Sequence, residues 1–196
     1  MDTEMISEKE LIFKPVTKAV WSDLEELFGK HGAYGGCWCM WWRIKRSDFN
    51  KQTGEGNRQA LKNIVGSGTI PGILAYLKGK PIGWCSVAPR KQFPVLDRSP
   101  ILKRVDAEPV WSIVCFFVAK SFRHRGLSGL LLKGAIEYAK QNGATIIEAY
   151  PVDKKSSKNT SLDAFTGFVQ NFLRMGFKEV MRRSDTRPIL RYYIQS

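Results

Sequence analysis

Between Val118 and Gly129 the chain reads V-A-K-S-F-R-H-R-G-L-S-G, a basic turn running into small residues and then into an apolar-periodic segment. Such a stretch can hold an anion. Glycine and serine let the backbone approach a ligand, because no large side chain shields its N–H groups. The first N–H groups of a helix have no internal partner, and the macrodipole adds partial positive charge there. Arg123, His124 and Arg125 bring cationic side chains to the same place. Walker-type and dinucleotide-type loops do not fit, since neither Gly-Lys-Ser/Thr nor G-x-G-x-x-G is present. Taken alone, R-x-x-G-x-S is short enough to be an ordinary strand-to-helix turn, and by itself that is the better reading.

A second concentration of chemistry is AYGGCWCMWWR at 33–43. Aromatic faces attract amines by cation–π contact, which makes Tyr34 and Trp38 candidates for the wall of an acceptor site. Trp38 is expected to be the more open to a pocket. Some of these rings must instead fill the core, because Trp41 and Trp42 are neighbours and cannot both face inward on regular structure. Cys37, Cys39, Cys85 and Cys115 invite a zinc reading, but one C-x-C plus two isolated cysteines lacks the paired knuckles of structural zinc sites. Buried thiols acting as small hydrophobes are the better expectation, with no metal. No Cys/His pairing is readable for a covalent acyl-cysteine route.

The elements that must position these groups follow from composition and pattern. With 196 residues, the chain is expected to be one domain over 1–196. Hydrophobic residues at 43% and charged residues at 25% are ordinary globular usage, which argues against disorder. No apolar run approaches the ~20 residues of a membrane-spanning helix. The N-terminus MDTEMISEKELIF lacks a basic region followed by an apolar core, so a cytoplasmic address and no membrane partner are expected. Lys and Arg number 31 against 18 Asp and Glu, a net +13 that suits a polyanionic partner. Nucleic acid is disfavoured, since the basic residues are spread along the chain without a DNA- or RNA-binding signature.

The periodicity predicts a strand over 11–16, then a helix with Thr17 as cap and Val20, Trp21, Leu24, Leu27 and Phe28 on one face. A second helix is expected over 57–65. Two strands, 71–77 and 81–90, form a hairpin about Lys78-Gly79-Lys80, and 91–100 reads as a polar loop. VWSIVCFFV at 110–118 is nearly continuous apolar sequence, as in a strand covered on both faces. A long helix over 126–141 and a strand at ATIIEAYPV follow. Ser161 or Asp163 can cap a helix reaching Met175, and FKEVMRR and ILRYYI close the chain as strands. This order predicts an α/β (α+β type) fold: one mixed, mostly antiparallel sheet, a central parallel β-α-β and helices on both faces.

In this setting the string V-A-K-S-F-R-H-R-G-L-S-G resembles the acetyl-CoA signature of the GNAT superfamily of N-acetyltransferases, Q/R-x-x-G-x-G/A after a strand ending in Val. FLRMGFKEV is similar to the second signature of that superfamily, and the element order matches its fold over nearly the whole chain. C-W-C-x-x-W-R, G-W-C-x-V-A-P-R, V-W-S-x-x-C-F-F-V and E-x-Y-P-V resemble segments of a bacterial subgroup. The resemblance implies acetyl-CoA as co-substrate, with Phe116, Phe117 and Val118 along the pantetheine. It also puts the diphosphate on Arg123, His124, Arg125, Gly126, Leu127, Ser128 and Gly129. The partner is a small-molecule amine or a peptide acceptor; the oligomeric state stays open, a homodimer included.

Acetyl transfer needs a neutral amine, a stabilised oxyanion and a protonated leaving thiolate. The resemblance implies a thiolate-protonating Tyr where this chain has Phe172, which would still border the cofactor, and a Glu where it has Ser112. Both functional groups are therefore missing. Glu148 and Tyr150 are the replacements expected here, since residues two apart on a strand share a face. A structural role stands equally beside it, Tyr150 packing in the core and Glu148 pairing with a basic residue. Glu108 and His31 are weaker candidates that read more simply as solvated or capping residues.

Overall fold

Alternating apolar positions in the middle of the chain become a meander that orders the sheet. A computed structural model describes residues 5–153 and 164–195. In chain order the elements are β1 (Leu11–Pro15), α1 (Trp21–Phe28), α2 (Arg46–Lys51), α3 (Glu55–Gly66), β2 (Ile73–Leu77), β3 (Lys80–Pro89), α4 (Pro94–Arg98), β4 (Trp111–Val118), α5 (Leu127–Gln141), β5 (Ile146–Ala149), α6 (Val169–Arg174), β6 (Lys178–Arg182) and β7 (Pro188–Tyr193). Lys78 and Gly79, at φ 50° and 79°, make the β2–β3 turn. Positive φ at both central positions matches the twist of the flanking strands.

The sheet has seven strands in the order β1-β2-β3-β4-β5-β7-β6. Each pairing is antiparallel except β4–β5, so α5 is the crossover between the parallel pair, as its periodicity predicts. One face carries α5, whose Leu127, Leu131, Leu132, Ala135 and Ala139 pack on Ile73, Ile82, Val87 and Ile113. That helix sits close because Gly83 of β3 has no side chain: a Cβ there would lie 2.9 Å from Leu131 Cδ1. The other face is aromatic. Trp21, Leu24 and Phe28 of α1 and Leu61 and Val65 of α3 cover Leu74, Tyr76 and Trp84.

Three local expectations change. Thr17 precedes a single 3-10 turn and makes no side-chain cap hydrogen bond. The stretch 91–100 holds the short α4, with Pro94 in its first turn, and α2 also lies in sequence without a periodic signal. Each is too short to show a face: α2 buries Phe49 and α4 buries Leu96. The helix before Met175 is only Val169–Arg174, separated by Gly167 (φ 80°) from a 3-10 turn at Ala164–Thr166. Ser161 and Asp163 lie outside the described residues.

Candidate active site

The central parallel pair is short and then opens. β4 and β5 are in register only at Trp111–Ile147, Ser112–Glu148 and Ile113–Ala149. The chain leaves β5 through Tyr150 and Pro151, which has no N–H to offer a ladder, and Val152 bridges to Phe168 instead. From Val114 to Val118, β4 has no ladder partner on its β5 side among the described residues and pairs only with β3. That stretch of edge carries no strand among the described residues, and the 3-10 turn Ala164–Thr166 packs against β4.

At the mouth of this opening β4 carries a bulge. Ser86 faces Cys115 while Val87 faces Ile113, which leaves Val114 without an opposite residue. The extra residue resets the alternation of side chains. Trp111, Ile113, Phe116 and Val118 belong to the α5 face, whereas Val114, Cys115 and Phe117 pack on the opposite side. Phe117 thus parts from its neighbours in the expected cofactor set and meets Phe28 edge-on at 5.6 Å. Phe116 meets Phe172, which is 1% exposed, at 6.1 Å. A Cβ on Gly167 would lie 2.8 Å from the Phe172 ring, so a glycine is what lets the chain pass there.

Beyond Val118 the chain turns through His124 (φ 63°) and Gly126 (φ 77°) into α5. Gly126 is the N-cap and no side chain caps the helix. Leu127 is buried and anchors the first turn, while His124 and Ser128 face outward. Arg123 Nε donates to the Val118 carbonyl at 3.2 Å, tying the loop back to the end of β4. The space beside Gly129 is open: a Cβ there would meet nothing within 4 Å. The N-terminal segment packs on this turn: Ile6 N–H donates to the Arg125 carbonyl at 3.2 Å, and a Cβ on Gly126 would lie 2.5 Å from Met5 Cε.

Glu148 and Tyr150 lie together on the face away from α5, both 1% exposed. The Tyr150 hydroxyl donates to Glu148 Oε1 at 2.7 Å and lies 2.9 Å from Ser112 Oγ. Arg90 donates to Glu148 Oε1 at 2.8 Å and Arg191 to Oε2 at 2.8 Å. Arg90 also reaches Asp97, and Arg191 reaches Asp106. Burial, reinforced by the Glu148 charge, pushes the Tyr150 phenol well above its ordinary range. The phenol therefore keeps its proton throughout the working pH range. Both features read from sequence are present, a converging acid–phenol pair and a carboxylate bound by basic residues. Arg191 is a single arginine within the apolar run ILRYYI, and such residues are almost never buried unpaired; Arg90, followed by Lys91 and Gln92, carries no such signal.

The aromatic segment divides differently from expectation. Trp38 is 6% exposed, set between Trp21 (6.2 Å) and Phe28 (5.5 Å). It is a core residue whose edge reaches a polar recess with Glu25, Lys30 and Arg58, because its positive φ of 42° turns it under α1. Tyr34 is 69% exposed, on the outer turn. Trp41 and Trp42 are both half-buried and meet edge-on at 6.5 Å, resolving the conflict between neighbours by each covering a different side. They line a cavity of about 340 Å³ together with Arg46, Arg98, Ile101, Leu102, Phe165 and Arg187. Leu102 belongs to the buried cluster that holds Tyr150 and Val114, and Trp42 and Ile101 pack on it. Arg187, in the cavity wall, reaches the Tyr150 carbonyl at 3.4 Å.

Arg43 ties this segment down, donating to the Gln92 side chain (3.0 Å) and the Pro71 carbonyl (2.9 Å). Burial lowers its guanidinium to about 10. Cys39 accepts from the Trp84 indole at 3.0 Å and lies 3.3 Å from the Cys115 thiol. The cysteines are free thiols, Cys85 fully buried. Glu108 and His31 are exposed and outside this cluster.

The chain thus sets a splayed parallel pair beside an uncapped helix start on a seven-stranded, mostly antiparallel sheet. The profile of the acetyltransferase (GNAT) family matches residues 38–165, more than half of the chain, and the protein belongs to that family. It is an acyltransferase whose family co-substrate is acetyl-CoA. No curated protein matches the sequence. Among solved structures, the PaiA N-acetyltransferase of Thermoplasma acidophilum, in complex with coenzyme A, is 13% identical with a TM-score of 0.53, covering 94% of this chain and 99% of that one. A GNAT acetyltransferase from Listeria monocytogenes is 10% identical with a TM-score of 0.58, covering 94% and 95%. The yncA protein of Salmonella typhimurium, solved with acetyl-CoA, is 12% identical with a TM-score of 0.52, covering 95% of each chain. At these identities the likeness is one of fold.

Proposed function

We propose that this chain transfers the acetyl group of acetyl-CoA directly to a primary amine in a ternary complex. The observation that carries the reading is the end of the β4–β5 ladder at Ile113, with β4 running on alone beside β3 into the uncapped start of α5. The backbone amides of 124–129, with Arg123 and Arg125, would hold the diphosphate. The pantetheine would extend along Phe116–Val118, with Phe172 behind it. N–H groups at the bulge would face the thioester carbonyl and stabilise the oxyanion. Holding both reactants in place supplies about 7–11 kcal/mol of effective molarity.

Tyr150 and Glu148 would handle the protons. The attacking nitrogen gives a proton to Glu148, Tyr150 gives one to the departing thiolate, and the 2.7 Å bond between them passes the balance. Tyr34 and Trp38 remain the acceptor residues proposed from sequence, but the cavity at Trp41 and Trp42 is better supported by its nearness to Tyr150. The setting we propose is cytoplasmic, with the chain a single domain; no described helix is long and apolar enough to cross a membrane. A second reading, acyl-CoA binding without catalysis, is favoured by Phe172 standing where a phenol is expected. Thiol release from acetyl-CoA across an amine panel tests the two. Amine-dependent release supports transfer; CoA binding without release by any amine supports the second.

A further inference from the structure

Two thiols meet where the aromatic segment touches β4. Cys39 Sγ donates to Cys115 Sγ at 3.3 Å and accepts from the Trp84 indole at 3.0 Å. The two cysteines are 76 positions apart in sequence, so only the fold brings them together. Cys39 is buried in a left-handed turn with Trp38, at φ 52° and 42°. Cys115 is half-buried and follows the unopposed Val114 of the bulge. It packs on both the aromatic cluster and the cluster that holds Tyr150. Buried Arg43 lies close enough that charge on either sulfur would stabilise its guanidinium. Thiols react where the setting is electropositive and partly open, and Cys115 meets both conditions. Cys39 does not: its hydrogen bond to Cys115, with burial, pushes its thiol well above the ordinary range. Cys37 turns its S–H to the Gly32 carbonyl at 3.5 Å, and Cys85 is fully buried.

We infer that Cys115 and Cys39 are a peroxide-sensitive redox pair whose disulfide weakens the hold of β4 on CoA. The Cys115 sulfur attacks the O–O bond of a hydroperoxide and becomes a sulfenic acid, releasing water or an alcohol. The Cys39 sulfur then attacks that sulfur: the S–S bond forms, the S–O bond breaks, and the Cys39 proton leaves with the hydroxyl as water. The thiol pair is oxidised by two electrons and the peroxide is reduced by the same two. A disulfide spans about 2.05 Å, and sulfurs already in contact at 3.3 Å have only that gap to close. Closing it draws Cys115 toward the turn at Trp38 and away from its register opposite Ser86, which shifts the bulge. It also turns the thiol that accepts from the buried Trp84 indole into a disulfide sulfur. The effect on CoA rests on the transferase reading, which sets the cofactor along Phe116–Val118; the bond itself does not. In a reducing compartment such a bond is transient and serves to sense oxidants.

The test uses the full chain, reduced, freed of reductant and treated with hydrogen peroxide; remaining thiols are then blocked and the peptides mapped without reductant. The expected product is a Cys39–Cys115 cross-linked peptide, lighter than the reduced pair by the two thiol hydrogens, which disappears on adding dithiothreitol. Cys85 is expected to stay a free thiol. Calorimetry on the oxidised protein is expected to show CoA binding weaker by about three- to tenfold, the loss of one hydrogen bond, and reduction restores it. Cys39→Ser leaves the Trp84 indole a hydroxyl acceptor; it is expected to bind CoA as the reduced protein does and to show no response to peroxide. No cross-link, a Cys37–Cys39 bond, or Cys115 driven only to sulfinic acid overturns the inference, as does a cross-link that leaves CoA affinity unchanged. Absence of CoA binding by the reduced protein sinks the transferase reading and the effect on CoA with it, while the peptide map alone still accepts or rejects the pair.

Discussion

Glu148 shows how one residue can be structural and chemical at once. It sits between Arg90 and Arg191, whose side chains are 2% and 4% exposed. Removing one partner of a buried ion pair costs about 3–5 kcal/mol, because the remaining charge stays desolvated. Glu148→Ala is therefore expected to lower stability by about that amount in urea denaturation. Tyr150→Phe keeps the ring and both ion pairs but takes away the partner of the buried Ser112 hydroxyl, and is expected to cost about 1–3 kcal/mol. The same variant should lose about 10²-fold or more in kcat as proton transfer is lost. Steady-state kinetics and denaturation on the two variants separate these effects, and unchanged kcat in Tyr150→Phe would remove Tyr150 from the chemistry. Asp106 gives a pH signature at the rim of this network. Its hydrogen bonds to Arg191, at 2.6 and 2.9 Å, hold its carboxyl below the ordinary 3.8. A depressed carboxyl stabilises the fold above its unfolded value and loses that contribution as pH falls through the folded value. Asp106→Asn should therefore lower the melting temperature at neutral pH, where the contribution is fully present, and converge with the unsubstituted protein as pH falls below about 4.

At the scale of elements, the start of α5 permits a test in which stability and ligand affinity move in opposite directions. Ser128 is exposed in the first turn of a helix with no side-chain cap. An aspartate there complements the macrodipole and is expected to stabilise the helix by about 0.3–1 kcal/mol. The same charge would repel the CoA diphosphate. Ser128→Asp should thus raise the melting temperature slightly while weakening CoA binding at least about tenfold, since loss of a charge-assisted contact exceeds about 1.4 kcal/mol. Calorimetry and thermal denaturation on one protein read both; weaker binding with a lowered melting temperature would instead mean that the turn is damaged. This loop was legible because its chemistry is local, a glycine N-cap between a strand and an amphipathic helix. The bulge at Val114 was not, because VWSIVCFFV is apolar on both faces and conceals a break in alternation. Likewise the burial of Trp38 depends on a left-handed backbone and on contacts with α1, and neither has a periodic signal. Partners distant in sequence, such as Arg191 for Glu148, are set by strand order rather than by spacing.

For the whole molecule, the excess of cations distinguishes two sources of anion affinity. The net charge of +13 attracts any polyanion at long range, and such attraction weakens as salt shortens the Debye length to about 8 Å at physiological ionic strength. A built site for one diphosphate keeps most of its affinity there, because its donors are fixed amides at short range. Binding to the native state alone stabilises it by about 2.7 kcal/mol at about 100 times Kd. For a chain of this length each kcal/mol moves the melting temperature by about 2–4 °C. CoA at that concentration is therefore expected to raise the melting temperature by about 5–10 °C in physiological salt. Duplex DNA should stabilise the protein only at low salt, where counterion release favours it, and lose the effect as salt rises. The Ser128→Asp variant should lose most of the CoA shift and keep the DNA effect, since it changes the net charge by only one unit. If DNA and CoA instead lose their shifts in parallel with salt, the affinity belongs to the overall charge and not to the turn at Gly126.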